Sequence, residues 1–507
     1  MKKDNFYVTT PIYYANGQPH IGNAYTTVAA DVLARYYNRF KGRDSFFLTG
    51  TDEHGIKIEK EAKKQKKKSQ ELCDEVSSLF KETWDHLNIS YDRFIRTTDK
   101  DHIEAVQEAL QNLYDKGFIY KGTYKGLYCS GCEQYKTESD LVDGKCPDHQ
   151  TKPETIEEES YLFRLSNFEE ELRERIEKDE LMIKPEQKKN EVLSFIDQGL
   201  QDISISRKNV KWGIPLPFDK KFTAYVWVDA FLNYLTGIGW KGKAGKFKNK
   251  FWPADLQLMS KDILRVHATI WPSLLLALGV SLPKKIFVHG YFTINSQKMS
   301  KSLGNVIWPE EIIEKLGSDA ARYLLMSAAP FGKDGDISWD KLTERYNADL
   351  ANGIGNTVNR VLTMVEKYFD GSISGSKGSF ELEDWFWREC YPRWNKNMEE
   401  LHFERSLRCI VDLFRRMDED IEQFKPWEKS KEDFDRPEFK DKFYCWLRLI
   451  RFSSWLTSPF MPESSEEILK QVGINPEEEK KKVFQKSSFE RKKIKINKGS
   501  ILFLKSR

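Results

Sequence analysis

Residues 6–23 have the sequence FYVTTPIYYANGQPHIGN, and this stretch establishes the fold class of the chain. Residues 6–9 predict a buried strand, and Gly17 suits the tight turn that follows it. Residues 24–37 predict a helix with one apolar stripe, and residues 45–48 predict a second strand. Because a strand, a helix and a strand in this order form a parallel unit, we expect an α/β domain.

The composition narrows the class of protein. A chain of 507 residues suggests three or four domains. The formal net charge of +3 argues against a wholly basic nucleic-acid coat, so a polyanion would bind at local patches. No signal or transit segment precedes the first strand, and the longest apolar run, near 273–280, is too short to span a membrane. We expect a soluble, cytoplasmic protein.

The pattern of elements divides the chain into five segments. The predicted segments are one half of the α/β domain at 1–115, an insertion at 116–222, the second half at 223–295, a loop and helix at 296–343, and an α-helical region with a basic C-terminal tail at 344–507. Apolar residues at three- and four-residue spacing predict a helical bundle in the last segment, with a further globular piece as the alternative. Residues 481–507 hold ten Lys or Arg against one acid, which suits a phosphate backbone or simple solubility equally.

The motif PHIGN at residues 19–23 opens the first predicted helix. His20 and Asn23 are three residues apart, so both lie on one face near the positive end of that helix. Gly22 has no Cβ, which would let a planar base approach the backbone closely. Taken alone, a histidine near a helix start is more often structural than functional.

A second motif, KMSKS at residues 298–302, places two lysines and two hydroxyls on one short loop. Gly304 follows and would give the loop mobility. Two ammonium groups and two hydroxyls on one loop are positioned cations and donors of the kind that stabilise negative charge developing on phosphates. A mobile loop with Lys298 and Lys301 could close over a departing pyrophosphate.

Four residues of the insertion have the spacing of a tetrahedral zinc site. They are Cys129, Cys132, Cys146 and His149. Two such pairs, separated by 13 residues, present three thiolates and one imidazole, so the sequence predicts one structural zinc. The seven cysteines do not suggest a disulfide framework, and those at 73, 390, 409 and 445 are predicted to pack as small hydrophobic residues.

Together, and in this order, the two motifs resemble the signature motifs of class I aminoacyl-tRNA synthetases. The segment 11–17 narrows the resemblance to the methionyl-tRNA synthetase family, over residues 7 to about 462. The resemblance implies a Rossmann-type parallel-sheet catalytic domain with a zinc-bearing insertion, followed by an all-α helical-bundle anticodon-binding domain. It also assigns 296–343 to the KMSKS loop and a stem-contact region.

The resemblance implies an ATP site. Its residues would be Gly17, His20, Gly22, Asn23, Lys298, Ser300 and Lys301. Four of them, His20, Asn23, Lys298 and Lys301, would stabilise the transition state with the help of Mg²⁺. The family often has histidine where this chain has Asn23, whose amide still donates a hydrogen bond.

A methionine pocket is the second implication of the resemblance. Its residues would be Pro11, Ile12, Tyr14, Asp52, Trp227, Ala230, Tyr234, Ile263, His267 and Trp271. Asp52 would hold the substrate ammonium, and Tyr14 or His267 could contact the sulfur. Aromatic walls suit a polarisable thioether, although each aromatic residue alone would be an ordinary core residue.

The resemblance further implies that the helical bundle reads an anticodon. Trp427 would stack on the first base of CAU, and Asn352 and Arg360 would contact the same base, with Asn356 as a competing position. Without the resemblance, Trp427 would be predicted as a core or capping residue.

The activity implied is the ligation of methionine to its tRNA through a methionyl-adenylate, by a monomer. The enzymes for isoleucine, valine and leucine are alternatives, but their large editing insertion would not fit between 116 and 222. A cysteine enzyme would place cysteines at the active-site cleft instead of the insertion. From another class, an inactive zinc-bearing RNA-binding protein is opposed by the intact His20, Lys298 and Lys301.

Overall fold

The computed structural model describes most of the chain. The described residues are 4–129, 131, 134–136, 138, 141–147, 150–294, 297–298, 306–375, 380–430, 432–485 and 493–506, with the side chains of 134–136 and 297–298 left out. The N-terminal elements are β1 (Asn5–Thr9), β2 (Tyr13–Tyr14), α1 (Ile21–Lys41), β3 (Asp44–Asp52), α2 (Ile56–Lys64), α3 (Ser69–His86), β4 (Arg93–Arg96) and α4 (Lys100–Asp115).

The middle of the chain mixes an antiparallel sheet with returning α/β elements. These elements are β5 (Ile119–Cys129), β6 (Gln134–Lys136), β7 (Glu154–Phe163), α5 (Glu169–Glu177), β8 (Met182–Lys184), α6 (Glu186–Ile196), β9 (Ile203–Ser204), β10 (Ser206–Arg207), β11 (Thr223–Ala224), α7 (Val226–Phe231), α8 (Asn233–Thr236), β12 (Leu256–Ser260), α9 (Leu264–Ala268), α10 (Ile270–Leu278), β13 (Lys285–His289), β14 (Phe292–Ile294) and β15 (Gln297–Lys298). Strands β6, β5, β7 and β9 form the antiparallel sheet of the insertion.

The C-terminal part is helical, as the sequence predicts. Its elements are α11 (Pro309–Leu316), α12 (Ser318–Ser327), β16 (Gly335–Asp336), α13 (Trp339–Arg345), a π-helical segment (Tyr346–Gly355), α14 (Asn356–Phe369), β17 (Ser372–Ser374), α15 (Glu381–Trp385), a second π-helical segment (Phe386–Cys390), α16 (Tyr391–Glu399), α17 (Phe403–Phe424), α18 (Pro437–Thr457), α19 (Pro462–Gln471), α20 (Pro476–Lys480) and β18 (Lys493–Lys495). Within the described ranges, no helix is long and apolar enough to cross a membrane.

A seven-stranded sheet organises the N-terminal half, and every pairing in it is parallel. The order is β2-β3-β1-β12-β13-β8, with β4 also paired to β3. Side chains alternate across each strand, so Phe6 and Val8 join one core while Tyr7 joins the other. The first core continues into the helical bundle, and the second lies against α4 and α10. The predicted fold class is confirmed in both its parallel sheet and its helical C-terminal domain.

Two segments lie where the sequence pattern did not place them. Strand β8 falls within the predicted insertion at 116–222, yet it forms the outer strand of the main parallel sheet beside β13. Strand β18 falls within the predicted basic tail, yet it pairs with β17 and buries Ile494 and Ile496 against the bundle. Three-residue strands carry too little periodicity to reveal such pairings in advance.

A buried ion pair joins α1 to the bundle. Asp31 and Arg322 are both fully buried, and Oδ2 of Asp31 accepts from the Arg322 guanidinium at 2.6 Å. The same guanidinium donates to the carbonyl oxygens of Pro459 and Phe460, between α18 and α19, at 2.8 and 2.7 Å. Burial opposes the charge of Asp31, but Arg35 and Arg322 hold the pKa of that carboxyl below its usual value. Arg322 therefore connects the half of the chain that contains the parallel sheet to the helical half.

Replacing Arg322 tests how much this connection contributes. Arg322→Ala would leave Asp31 buried with only Arg35 as a cation, so we expect the free energy of unfolding to fall by about 3–5 kcal/mol. Chemical denaturation measures it. Lys178→Ala, which removes an exposed partner of Glu174 on α5, serves as the control and should leave the unfolding midpoint unchanged. Equal midpoints for the wild type and Arg322→Ala would contradict the structural role.

Candidate active site

A cavity of about 670 Å³ opens at the carboxyl edge of the parallel sheet, where β1, β3, β12 and β13 end. Ligands of open α/β sheets bind at this edge, because the loops after neighbouring strands diverge there. The predicted residues that line the cavity are Pro11, Ile12, Tyr14, Gly17, His20, Gly22, Asn23, Asp52, Trp227, Ala230, Tyr234, Ile263 and His267. The structure thus brings together residues from 11 to 267 of the chain.

The N-terminus of α1 forms the polar end of the cavity. His20 caps the helix: its Nδ1 accepts the backbone N–H of Gly22 at 3.0 Å. Asn23 completes the cap, because its Oδ1 accepts the backbone N–H of His20 at 3.0 Å. These bonds place the His20 ring and the Asn23 side chain at the positive end of the helix, where both line the cavity.

The absence of a side chain at Gly22 is required by the neighbouring His20 ring, which the sequence did not suggest. A Cβ at this position would lie 2.9 Å from Cε1 of His20, closer than real contacts allow. Its absence therefore makes room first for the His20 imidazole, which packs against the backbone of the first helical turn. Any approach of a base to the backbone comes in addition to that.

The aromatic end of the cavity is built from α7, α8 and α9. Trp227 and Ala230 come from α7, Tyr234 from α8, and His267 from α9. His267 Nδ1–H donates to the carbonyl oxygen of Ile263 at 2.9 Å, so its Nε2 accepts from the Tyr234 hydroxyl, also at 2.9 Å. Burial lowers the pKa of His267 to about 4, so the ring is neutral at pH 7.

Two predicted members of the methionine pocket need revision on this geometry. Trp271 does not line the cavity, since its buried ring packs behind Tyr234 at 5.6 Å and its Nε1–H donates to Oε1 of Gln257. Both ring nitrogens of His267 form hydrogen bonds within the protein, so its predicted contact with a sulfur atom would compete with them. The sequence could not reveal either result, because a four-residue helical spacing does not show which side chains lie behind the cavity wall or which hydrogen bonds they form.

Among the cavity residues that the sequence did not predict, His289 and Lys57 carry side chains that can hold a proton or a charge. His289 ends β13, its Nε2 accepts from Thr26 Oγ1 at 2.7 Å and its Nδ1–H donates to the Gly290 carbonyl at 2.8 Å; burial lowers its pKa to about 4. The position directly after a parallel strand was the signal that could have found it. Lys57 opens α2, with its Nζ 5.0 Å from the Tyr14 ring centroid and 2.7 Å from the Gly131 carbonyl oxygen.

The KMSKS segment lies largely outside the described residues. Lys298 is described only as backbone, in the antiparallel pair of β15 with β14, and the predicted sites Ser300 and Lys301 are not described. Phe292, before the segment, and Val306, after it, both line the cavity. The described residues on both sides of this segment therefore lie at the cavity wall.

The predicted zinc site is half described. Cys129 ends β5 and Cys146 lies in a turn closed by the Gln150 N–H on the Cys146 carbonyl at 2.8 Å, and both cysteines are buried. Cys132 and His149 lie outside the described residues. Two buried sulfurs at a strand end and a tight turn fit the donor set of a structural zinc. The cysteines at 73, 390, 409 and 445 are buried in helices, and burial raises their pKa values.

The predicted anticodon residues lie on the bundle. Trp427 follows α17 on a short 3₁₀ turn and is 46% exposed, which is unusual for tryptophan. Arg360 on α14 lies over its ring at 5.2 Å and also pairs with Glu422. Asn352 is exposed on the π-helical segment before α14, and the competing Asn356 is exposed as well.

Comparisons with known proteins agree over both halves. The family profile "tRNA synthetases class I (M)" matches residues 6–152 and 140–362, and "Anticodon binding domain of methionyl tRNA ligase" matches 387–504. Methionine–tRNA ligase of Caldanaerobacter subterraneus is 43% identical over 475 residues, 93% of this chain and 74% of the relative. That of Thermotoga maritima is 41% identical over 476 residues, 92% of this chain and 75% of the relative.

Solved structures give the same result. The Mycobacterium tuberculosis methionyl-tRNA synthetase in complex with methionyl-adenylate is 35% identical, with a TM-score of 0.92 over 99% of both chains. The free-state structure of the same protein is 32% identical by this comparison, with a TM-score of 0.82 over 100% of this chain and 99% of that one.

Neutral His267 should make stability depend on pH. Its folded pKa of about 4 lies below the usual 6.5, so the stability it contributes is complete above about pH 6.5 and is lost as the pH falls towards 4. Between pH 7 and 5 the wild type should lose about 2 kcal/mol more unfolding free energy than His267→Gln. Denaturant titrations at several pH values measure this, and parallel losses in both proteins would contradict a neutral buried ring.

Proposed function

The chain belongs to the methionyl-tRNA synthetase family and is a methionine–tRNA ligase, and we propose that the cavity at the carboxyl edge of its sheet is where the chemistry takes place. The enzyme activates methionine with ATP to methionyl-adenylate and pyrophosphate, and then transfers methionine to the terminal adenosine of tRNA. One observation carries the placement: a single cavity joins the capped N-terminus of α1 to an aromatic wall.

At the polar end, ATP would bind over α1. The side chains of His20 and Asn23 would contact phosphate oxygens, and the positive helix end would add to their field. Gly17 and Gly22 would leave room for the nucleotide, and Lys298, Ser300 and Lys301 would close over the β- and γ-phosphates. Positioned donors suffice for this chemistry, because the carboxylate nucleophile is already ionised at neutral pH.

At the other end, methionine would lie between the aromatic wall and Asp52. The Asp52 carboxylate lines the cavity and would pair with the substrate ammonium. Pro11, Ile12, Trp227, Ala230 and Ile263 would surround the thioether, with Tyr14 or Tyr234 nearest to its sulfur. Trp271 supports this wall from behind.

Two metals complete the proposal. Mg²⁺ would accompany ATP and neutralise charge on its phosphates. Cys129, Cys132, Cys146 and His149 would hold one zinc, which would cross-link the end of β5 to the turn at Cys146. The Lys57 bond to the Gly131 carbonyl connects that insertion to the cavity wall.

The helical half would bind the anticodon of tRNA(Met). An exposed Trp427 ring offers a stacking face, and Arg360 stands over it as a cation for base edges. Asn352, exposed before α14, would contact the same base. We retain the five-segment division with β8 counted in the main sheet, together with a monomeric and cytoplasmic enzyme, as parts of this proposal.

ATP–pyrophosphate exchange tests the placement of the ATP site. We expect exchange with methionine and not with leucine or cysteine, and a loss of about 10²-fold or more in His20→Ala because a positioned donor is removed. His20→Gln places an amide nitrogen near the Nε2 position and should restore part of the rate. His20→Asn restores the helix cap alone and should remain slow.

The two conservative variants decide between roles. If His20→Asn recovers as much exchange as His20→Gln, the histidine acts as a helix cap and does not contact phosphate. Exchange with another amino acid would overturn the assignment of the pocket to methionine.

Trp427 gives a separate test of the tRNA surface. Trp427→Ala should raise the KM for tRNA by about tenfold or more, since stacking of one base contributes about 1–3 kcal/mol, while exchange stays at the wild-type rate. Trp385 is the matched control, because it also carries an arginine over its ring, Arg416 at 4.1 Å. Trp385→Ala should leave the tRNA KM unchanged, whereas equal losses in charging and exchange for Trp427→Ala would indicate a structural tryptophan.

A further inference from the structure

A buried carboxylate lies directly behind the methionine pocket. Asp229 is on α7, between the cavity residues Trp227 and Ala230, but it does not line the cavity itself. It is 1% exposed, and each of its oxygens meets an imidazole: Oδ2 accepts from Nδ1 of His54 at 2.7 Å and Oδ1 from Nε2 of His102 at 2.8 Å. The carboxylate is therefore a junction and not a substrate ligand.

The two histidines bring separate elements to this junction. His54 is two residues beyond Asp52, in the turn that leaves β3, while His102 comes from α4. Nδ1 of His102 accepts from Thr236 Oγ1, at the end of α8, at 2.8 Å. Asp229 thus connects the turn carrying Asp52 to the helices that carry Trp227, Ala230 and Tyr234.

The turn after β3 is held on its other side by a second network. Glu53, between Asp52 and His54, is fully buried and accepts from Nε and Nη2 of Arg96 at 2.7 and 2.9 Å. Serine and threonine hydroxyls from α3 and β3 also donate to it. Glu53 therefore fixes the turn against β4 and α3, whereas His54 fixes it across the cavity floor against α7.

Asp229 is ionised at neutral pH and can therefore accept both hydrogen bonds at all times. Burial opposes its ionisation, but His54 and His102 hold the pKa of this carboxyl below its usual value, so it stays charged at neutral pH. A buried carboxylate that accepts two directional N–H bonds constrains both partners more narrowly than apolar packing does.

We propose that Asp229, acting through His54, is a positioning residue that sets the distance between Asp52 and the aromatic wall, and so the fit of methionine. The inference rests on the proposed placement of methionine in this cavity. The ammonium and the thioether of one substrate bind to the two walls that the Asp229–His54 bond joins. Loosening this bond should weaken the binding of methionine and leave the α1 end, where ATP would bind, unchanged.

The test compares substrate constants in pyrophosphate exchange. We expect Asp229→Asn and His54→Ala each to raise the KM for methionine by about tenfold, as the loss of a hydrogen bond to a charged group does, with the KM for ATP within about twofold of the wild type. His54→Asn keeps an amide donor near the Nδ1 position and should recover most of the methionine KM. Calorimetric titration with methionine alone gives the Kd without any turnover.

A double variant separates one shared bond from two independent defects. If Asp229 and His54 act through one hydrogen bond, Asp229→Asn combined with His54→Ala should raise the methionine KM little beyond either single change. Additive effects would overturn the proposal, as would equal increases in the KM values for methionine and ATP. If Asp229→Asn fails to fold, the comparison of His54→Ala with His54→Asn tests the proposal. Equal increases in the methionine KM of these two variants would show that the hydrogen bond from His54 does not position the pocket.

Glu479→Gln provides a matched control for burial. Glu479 is fully buried in the bundle and accepts from Arg451 at 2.6 Å, far along the chain from the cavity residues. The substitution Glu479→Gln should lower the melting temperature of the protein without changing its KM for methionine. If the wild type binds methionine and Asp229→Asn has the same Kd, the positioning role alone is refuted. If the wild type binds no methionine, the proposed pocket is refuted.

Discussion

The Asp31–Arg322 ion pair is the contact on which the arrangement of the two halves depends. Asp31 lies midway along α1, the helix whose N-terminus carries His20 and Asn23. Arg322 distributes its donors between that carboxylate and the carbonyls of Pro459, Phe460 and Leu87. A planar guanidinium can satisfy so many acceptors only in one orientation, so the helix that presents the ATP site and the bundle that presents Trp427 share one rigid anchor.

The cavity shows a clear division of chemistry. At one end, helix α1 offers N–H donors and a positive dipole, which suit phosphates. At the other, aromatic rings and a carboxylate suit an apolar side chain with a cationic amine. The histidines around it, His267 and His289, are held neutral by burial, and bonds at both ring nitrogens fix their orientation, so they shape the site instead of supplying charge.

Behind this cavity lies a second layer that fixes its walls. Glu53 with Arg96, Asp229 with His54 and His102, and Trp271 with Gln257 are buried or half-buried polar contacts between residues that do not line the cavity. Forming such pairs costs free energy of desolvation. They define the geometry of the site, because directional bonds hold neighbouring side chains within a fraction of an ångström. The fit for a small amino acid depends on that accuracy.

The sequence by itself determined the local order of this protein. Alternating and three-to-four-residue patterns, with the glycine turn before PHIGN, predicted β1, α1, β3 and the helical C-terminal part, although α1 and β3 extend beyond the predicted 24–37 and 45–48. These features depend on neighbours within one turn or one strand, which the sequence contains. Family motifs placed His20, Asp52, Trp227 and Tyr234, and the structure brings all four to one cavity.

Only the tertiary structure decided contacts between distant segments. It placed β8 in the main sheet, returned β18 to the bundle, moved Trp271 behind the wall and revealed His289 and Lys57 at the cavity. It also joined His54, His102 and Asp229, which are far apart in the chain. Such pairings follow from how whole elements pack, and a local pattern carries no information about which distant partner will satisfy a buried polar group.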